Sequence, residues 1–327
     1  LINDNNLVTF NRSTRRWPDS ILKQPFYTNI SHNLLDYYGK LNNIDLFDRK
    51  AFGLTELESI NLDPQHRLML ELTWQVLEEG NYAAFGQTQL KAGVFAGLCS
   101  SDYNQLILDT SSTPVTPYNA IGNTHSTAAG RISHTFNLSG PSLAIDTACS
   151  SSNVALNYAV QSLNNLECEC AVVTGTNLII HPSPSASFAK AGMLSPEFRC
   201  KPFEVNADGY VRSEGAVALL LKPLDKAKID KNKIYASIES SVINHDGHTE
   251  VLTSPNSKSQ VNCIRQALFK AKIKQEDISF LETHGTGTQV GDKAEVETIN
   301  TIFKNRSSQN PLYLGATKSL TGHTETV

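Results

Sequence analysis

Three short segments hold side chains whose types could carry out nucleophilic and acid–base chemistry. Cys149 lies within DTACSSS (residues 146–152), His284 within THGTGT (residues 283–288), and His323 ends KSLTGH (residues 318–323). A thiolate is a strong nucleophile, and imidazoles can hydrogen-bond an oxyanion or enolate. Together they suggest a thiol nucleophile with two imidazole helpers, whereas a cysteine protease needs one histidine oriented by Asn or Asp. Taken singly, Cys149 could also be a small buried apolar residue and each histidine a structural loop residue.

The apolar pattern around these segments predicts strands and helices that alternate along the chain. The predicted strands span residues 92–97, 143–146, 171–175, 216–221, 234–243, 278–282 and 311–316, and the predicted helices begin at residues 64, 151, 259 and 292. Cys149 falls between a strand and a helix, where the helix dipole should favour the thiolate. Both histidines follow strands. Such alternation predicts a layered α/β fold, with a boundary near residues 223–233.

Composition excludes several classes of protein. The 327 residues are 40% hydrophobic and carry a net charge of −4, which gives no general attraction to nucleic acid or membrane. The longest apolar stretch, residues 216–221, is far too short to cross a bilayer. The six cysteines form no regular disulfide framework, and the pair Cys168 and Cys170 lacks the second pair of a zinc knuckle. We therefore expect no metal, no nucleic-acid or membrane partner, and a reducing cytoplasmic location.

The segment from Asp146 to Ser152 resembles the active-site signature of β-ketoacyl synthases of modular type I polyketide synthases. The segments of His284 and His323 resemble the two histidine motifs of that family. The resemblance runs from about Trp17 to the end of the chain, and it includes further segments in the family's order. These are LDPQHR (residues 62–67), AGMLS (191–195), CKPF (200–203), ADGYVR (207–212) and NHDG (244–247).

This resemblance implies a thiolase-like fold, in which two related αβαβα halves form a five-layered core, and usually a homodimer. The first half would be residues 1–226, with Cys149, and the second residues 227–327, with both histidines. Cys149 would accept an acyl group from the phosphopantetheine arm of an acyl carrier protein. A malonyl-type extender would then lose carbon dioxide, and its enolate would attack the Cys149 thioester.

The resemblance also assigns supporting roles. His284 and His323 would hold the developing negative charge, and Lys318 would support them electrostatically, paired with Glu295 in GDKAE (residues 291–295). No cofactor of the chain's own is implied. The implied partners are an acyl carrier protein, an acyltransferase and other assembly-line domains.

The sequence departs from the family's pattern in several places. It stops four residues after His323, where relatives continue into a glycine-rich loop, and it lacks their opening strand. We therefore expect a chain truncated at both ends, with an incomplete second half and no activity alone. Thr324-Glu325-Thr326 stands in place of the usual Leu-Glu-Ala.

Four alternative functions compete with this interpretation. GDKAE and TKSLTGH lean toward discrete fatty-acid 3-oxoacyl synthases, whereas NHDG and the long Cys149 signature favour polyketide enzymes. A non-elongating transacylating ketosynthase typically loses a histidine that this chain keeps. A non-catalytic partner protein of the dimer would lack Cys149, and a papain-like hydrolase would leave His323 unexplained.

Overall fold

The computed structural model describes residues 9–10, 16–82, 88–112, 114–304 and 306–327. Its strands are β1 (Thr9–Phe10), β2 (Gly39–Lys40), β3 (Ala92–Gly97), β4 (Ser142–Ile145), β5 (Cys170–Asn177), β6 (Gly215–Leu221), β7 (Phe280–Glu282) and β8 (Tyr313–Gly315). Its α-helices are α1 (Asp19–Leu22), α2 (His32–Asp36), α3 (Glu56–Asn61), α4 (Pro64–Glu79), α5 (Asp102–Thr110), α6 (Pro117–Ile121), α7 (His125–Phe136), α8 (Ser151–Asn164), α9 (Ser183–Lys190), α10 (Leu224–Ile229), α11 (Ser257–Ala271), α12 (Gln289–Phe303) and α13 (Lys318–Thr321). Single 3-10 turns occur at Pro25–Tyr27, Ala148–Ser150 and Gln275–Asp277.

A four-stranded sheet in the order β4-β3-β5-β6 organises the first part of the chain. β3 is parallel to β4 and β5, whereas β6 is antiparallel to β5. Every residue of β3 and β5 is buried, as expected for parallel strands covered on both faces. Because side chains alternate along a strand, Val94 and Val172 pack with residues of α4 and α7, whereas Phe95 and Val173 pack with α8. β4 is an edge strand of this sheet, and the chain leaves it toward Cys149.

Helix α4 begins as the sequence predicts. The Asp63 carboxylate accepts a hydrogen bond from the Gln65 backbone N–H at 2.8 Å, and Pro64 occupies the first turn. The predicted strands at residues 92–97, 143–146, 171–175, 216–221, 278–282 and 311–316 all form, with ends shifted by no more than a few residues. The predicted helices at residues 151, 259 and 292 likewise become α8, α11 and α12.

The predicted strand at residues 234–243 is wrong. This segment has no regular secondary structure and pairs with no strand of the described residues. Its apolar side chains Ile234, Tyr235, Ile238 and Ile243 are between 40% and 70% exposed. An apolar segment becomes a strand only when a neighbouring edge accepts its backbone hydrogen bonds, and none of the described strands does so here.

The second part of the chain is built on a two-stranded parallel sheet, β7 with β8. Helices α11 and α12 pack together through Val261, Ile299, Ile302 and Phe303. The loops of His284 and His323 follow β7 and β8, so both leave this sheet at the carboxyl ends of its two parallel strands. No helix among the described residues is both long and apolar enough to span a membrane.

Candidate active site

Cys149 is presented by a tightly bonded turn between β4 and α8. It lies in the 3-10 turn Ala148–Ser150, directly before the first residue of α8. The Asp146 carboxylate accepts from the Ala148 N–H at 3.0 Å, and the Ser151 hydroxyl accepts from the Thr147 N–H at 2.9 Å and donates to the Ala148 carbonyl at 2.6 Å. Ala148 has φ of 54°, a left-handed conformation that costs a non-glycine residue about 1 kcal/mol. The turn therefore exposes Cys149 at some conformational cost.

Close packing behind this turn fixes the start of α8. A Cβ at Gly97, the last residue of β3, would lie 2.7 Å from the Ser152 nitrogen and 2.8 Å from the Ser151 carbonyl carbon. Only glycine lets the strand and the helix approach this closely. The position of Cys149 thus depends on a residue in a different strand.

The surroundings of the Cys149 thiol differ from the sequence-based expectation of a stabilised thiolate. Desolvation by the surrounding protein and the negative charge of Glu325 raise the pKa of the Cys149 thiol. The positive charge of Lys318 and the backbone N–H of Cys149 itself act in the opposite direction, without overcoming the first two. The proton is therefore held more tightly than in a free cysteine, because the protein packed around this exposed residue displaces water and so penalises the thiolate more than the helix start favours it.

The loop of His284 is held by a carboxylate from α12. Glu295 accepts hydrogen bonds from the backbone N–H groups of His284 at 2.6 Å and Gly285 at 2.9 Å. Asp292, one turn earlier, accepts from the Gly287 N–H at 3.1 Å. The predicted ion pair between Glu295 and Lys318 is not found among the described residues. Instead, both oxygens of Glu295 bond to the loop that presents His284.

His323 is held by the backbone on both sides. Its N–H donates to the Val211 carbonyl at 2.7 Å, and its carbonyl accepts from the Ser213 N–H at 2.8 Å. The Glu325 N–H donates to Nδ1 of His323 at 3.0 Å. Since Nδ1 is an acceptor, the neutral ring carries its proton on Nε2. His323 can therefore donate one hydrogen bond from Nε2.

The two imidazoles of the site meet edge to face. Their ring centroids lie 5.4 Å apart with the planes at 85°, and Tyr210 packs edge-on against His323 at 5.0 Å. Desolvation and the charge of Lys318 lower the pKa of His284 to about 4. Desolvation, together with His284, Lys318 and Arg212, lowers the pKa of His323 to about 3. Both rings are neutral at physiological pH and can act as hydrogen-bond donors.

The structure brings four of the five predicted residues into one electrostatic cluster. The charge of Lys318 acts on Cys149, His284 and His323, although Lys318 forms no ion pair among the residues that the structure describes. Glu295 is the fifth predicted residue, and it accepts hydrogen bonds from the backbone of the loop that carries His284.

Sequence reasoning missed a buried ion pair beside His323. Nε of Arg212 lies 2.5 Å from Oε1 of Glu325, and Nη2 lies 3.0 Å from Oε2. Arg212 lies in the segment ADGYVR, and Glu325 in the segment that departs from the family pattern. No signal of the pair exists in the sequence, because nothing in it links two residues 113 positions apart.

Two family profiles match the chain in succession. "Beta-ketoacyl synthase, N-terminal domain" matches residues 1–227, and "Beta-ketoacyl synthase, C-terminal domain" matches residues 235–327. The chain belongs to the β-ketoacyl synthase family. It is 40% identical over 283 residues to a phenolphthiocerol/phthiocerol polyketide synthase of Mycobacterium tuberculosis, covering 86% of this chain and 13% of that protein. It is 39% identical over 290 residues to the citrinin polyketide synthase of Monascus ruber, covering 88% of this chain and 11% of that protein.

Solved ketosynthase structures share the fold of this β-ketoacyl synthase. The ketosynthase from module 6 of the bacillaene synthase of Bacillus subtilis 168 superposes with a TM-score of 0.81 at 38% identity, over 89% of this chain and 50% of that one. An oxazolomycin ketosynthase domain of Streptomyces albus JA3453 gives 0.80 at 30% identity, over 99% and 55%. The predicted thiolase-like α/β fold is confirmed. The chain spans about half the length of these solved domains and a small fraction of the curated relatives.

Proposed function

We propose that this β-ketoacyl synthase chain catalyses decarboxylative Claisen condensation, joining an acyl group on Cys149 to a malonyl-type extender on an acyl carrier protein. The observation that carries the proposal is the pair of neutral imidazoles, 5.4 Å apart, in one cluster with an exposed cysteine and a lysine. The similarity to polyketide synthases from bacteria and fungi supports a polyketide product rather than a fatty acid.

In the first step, Cys149 receives the acyl group. Its sulfur attacks the carbonyl carbon of an acyl-phosphopantetheine thioester, and a new C–S bond forms. The backbone N–H of Cys149 can hydrogen-bond the oxyanion of the tetrahedral intermediate. The old C–S bond then breaks, and the departing carrier thiolate takes the proton that Cys149 gives up. Because the pKa of Cys149 is raised, we propose that its proton stays on the sulfur until attack begins and passes to the departing carrier sulfur as the two C–S bonds exchange.

In the second step, the histidines stabilise an enolate. Nε2–H of His323 and an N–H of the neutral His284 hydrogen-bond the thioester oxygen of the malonyl group. The bond to its carboxylate breaks, carbon dioxide leaves, and the electron pair becomes an enolate held by both donors. The positive charge of Lys318 lies close enough to lower the energy of that anion. The enolate carbon attacks the carbonyl carbon of the Cys149 thioester and a C–C bond forms. The C–S bond to Cys149 then breaks, and the Cys149 thiolate takes a proton from water.

We propose that residues 1–226 and 227–327 are the two halves of one domain that works as a homodimer, with an acyl carrier protein and an acyltransferase as partners in the cytoplasm. The two family matches, at residues 1–227 and 235–327, support the division. The exposure of β4 supports the proposed homodimer. It is an edge strand in which Leu143 is 44% exposed, and it leads directly to Cys149. An exposed apolar edge strand is suited to pairing with a second copy.

A two-stage assay on the natural polypeptide that contains this chain tests the proposal. Incubation with an acyl-carrier thioester should add the acyl mass to the Cys149 peptide, and malonyl carrier protein should then release carbon dioxide and a lengthened β-ketoacyl product. Cys149→Ala should abolish loading. His284→Ala should retain loading but lower carbon dioxide release about a hundredfold or more.

Two outcomes would contradict the assigned roles. Loading without carbon dioxide release in the unsubstituted protein would establish a transacylating enzyme instead. Equal loss of loading and decarboxylation in His284→Ala would show that the histidine does not act separately on the second step.

A further inference from the structure

A cleft lined by basic side chains takes no part in the function proposed above. Its volume is about 540 Å³, and Arg16, Lys40 and Arg67 are among the residues that line it. Among the described residues of this lining, Asp45 is the only acid. A cleft of this volume can hold a small organic ligand. This basic cleft is therefore large enough, and of the right charge, to bind an organic anion.

One segment of the backbone separates the basic cleft from the active site. The N–H of Gly39 donates to the Arg212 carbonyl at 3.0 Å, and the Gly39 carbonyl accepts from the Glu214 N–H at 2.8 Å. His323 bonds to the opposite edge of the same segment. Lys40 follows Gly39 directly and lines the cleft. The basic cleft therefore lies next to the active site, and no member of the catalytic cluster is among the described residues that line it.

The counter-charge of Arg16 lies behind the wall of the basic cleft. One oxygen of Glu214 accepts from Nη2 of Arg16 at 2.6 Å and from the Leu41 N–H at 2.8 Å, and the other accepts from the Ile179 N–H at 3.0 Å. The Glu214 side chain is completely buried, whereas that of Arg16 is 18% exposed. A ligand in the cleft would therefore meet the guanidinium but not the carboxylate that balances its charge.

The Lys40 ammonium adds a second cation near the first. Desolvation and the positive charge of Arg16 lower the pKa of Lys40, and the negative charges of Glu214 and Asp36 act in the opposite direction without overcoming them. Arg16 and Lys40 therefore destabilise each other's charge. An anion in the cleft would relieve this repulsion.

Arg67 supplies a third cation from the first turn of α4. Its Nε donates to the Leu62 carbonyl at 2.9 Å, and its guanidinium carbon lies 5.7 Å from the centroid of the Tyr103 ring. The charge of Arg67 acts on Asp63 and Glu71, but no carboxylate of the described residues lies within ion-pair distance of it. A guanidinium that no carboxylate engages can pair with two oxygens of a phosphate.

We propose that the basic cleft binds a phosphate group carried by an organic molecule of about nucleotide size. Three cations suit the charge of a phosphate better than that of a single carboxylate. Asn42, Asn43 and Tyr103 also line the cleft and offer amide groups and an aromatic ring to the organic part of the ligand. A nucleotide and a phosphopantetheine arm share this chemistry, and the test separates them. The proposal does not depend on the function proposed above.

Hydrogen exchange in the natural polypeptide tests the proposal, because it reports on the peptides that contain residues 40–45 and 64–67. The probes are adenosine diphosphate and 4′-phosphopantetheine, each compared with its unphosphorylated counterpart, adenosine or pantetheine, at low ionic strength. We expect a phosphorylated probe to slow exchange in both peptides with a Kd of about 1 mM or tighter, and the counterparts to have no effect. The probe that binds more tightly identifies the source of the phosphate.

Two isosteric changes in the lining test the role of charge without disturbing the fold. Asn43→Asp adds a carboxylate and should weaken binding roughly threefold, whereas Asp45→Asn removes one and should tighten binding by about the same factor. Both residues are exposed. Asn43 has φ of 58°, a conformation that Asp tolerates as Asn does.

Arg67→Gln should weaken binding about tenfold or more, because it removes a charged donor to the phosphate. Arg265→Gln, an exposed arginine of α11, is the matched control and should leave binding unchanged. If Arg67→Gln does not fold, the two isosteric changes decide alone.

Four results would overturn the proposal. These are equal protection by adenosine or pantetheine, no protection by either phosphorylated probe in the millimolar range, and the same response to Asn43→Asp and Asp45→Asn. The fourth is protection by an acyl carrier protein without its arm but not by either phosphorylated probe, which would make the basic cleft a protein-binding surface instead.

Discussion

At the scale of single residues, the protonation states of the site follow from desolvation more than from individual neighbours. Desolvation is the largest influence on the pKa of Cys149, His284 and His323. In each case it favours the neutral form, so the thiol keeps its proton and the imidazoles do not gain one. Neutral imidazoles suit an enolate, because each donates a hydrogen bond without transferring a full charge.

These pKa shifts predict different pH dependences for the two steps. Carbon dioxide release should be nearly constant between about pH 5 and pH 8, because His284, with a pKa of about 4, stays neutral there. Acyl loading from the thiol should vary little below neutrality. It should quicken in alkaline solution, where the thiolate becomes populated and reacts without giving up a proton, because the pKa of Cys149 is raised. Rates measured separately with labelled malonyl and acyl carrier proteins test this. A fall in carbon dioxide release centred near pH 6.5 would indicate an unshifted histidine instead.

The same shifts have a consequence for stability. Histidines in the unfolded chain titrate near pH 6.5, whereas those of the folded site titrate near 4 and 3. The folded state therefore loses stability as pH falls below about 6.5, because these histidines bind protons in the unfolded chain but stay neutral in the folded site.

At the scale of elements, the contact between β3 and α8 determines where Cys149 lies. Gly97→Ala should destabilise the fold by about 1–3 kcal/mol, because the three atoms nearest its Cβ are backbone atoms of Ser151 and Ser152, which cannot move aside as a flexible side chain could. It should also slow acylation of Cys149 by displacing the start of α8. Gly130→Ala is the matched control. It lies in α7 with nothing within 4 Å of the new Cβ, and it should stabilise the fold by about 0.5–1 kcal/mol.

Thermal denaturation and acylation kinetics of the two variants check this prediction. If Gly97→Ala proved as benign as Gly130→Ala in both measurements, close packing behind Cys149 would not position the thiol.

Much of the element pattern could be predicted from sequence, but side-chain partners could not. β3 and the first half of β5 are apolar runs, the pattern expected of parallel strands buried on both faces, and this pattern made them easy to predict. Residues 234–243 show a similar apolar pattern, yet strand formation depends on a partner edge that no local signal describes. The partner of Glu295 was predicted as Lys318 because both lie in family motifs, whereas the fold places the carboxylate under the His284 backbone. The Arg212–Glu325 pair was missed because it depends on how distant segments meet.

At the scale of the whole molecule, the two edges of the central sheet should behave differently. β4 and β6 are the outer strands, and each carries a leucine that is 44% exposed, Leu143 and Leu219. If β4 is the dimer edge, Leu143→Arg should shift the natural polypeptide toward monomer, because it places a charge within the apolar interface. Leu219→Arg should leave the association unchanged. Sedimentation velocity across a range of concentrations distinguishes these outcomes, and an equal effect of both changes would argue against pairing through β4.

The backbone hydrogen bonds of His323 join segments that a ribosome synthesises at different times. The Thr326 hydroxyl bonds to the Thr176 carbonyl in β5, a separation of 150 residues, and His323 lies against residues 211–213. The strands around Cys149 are synthesised long before these partners emerge, and distant contacts form late. During synthesis the thiol therefore exists for a time without its imidazoles. His323 joins the thiol only when the segment after α13 docks against β5 and residues 211–213.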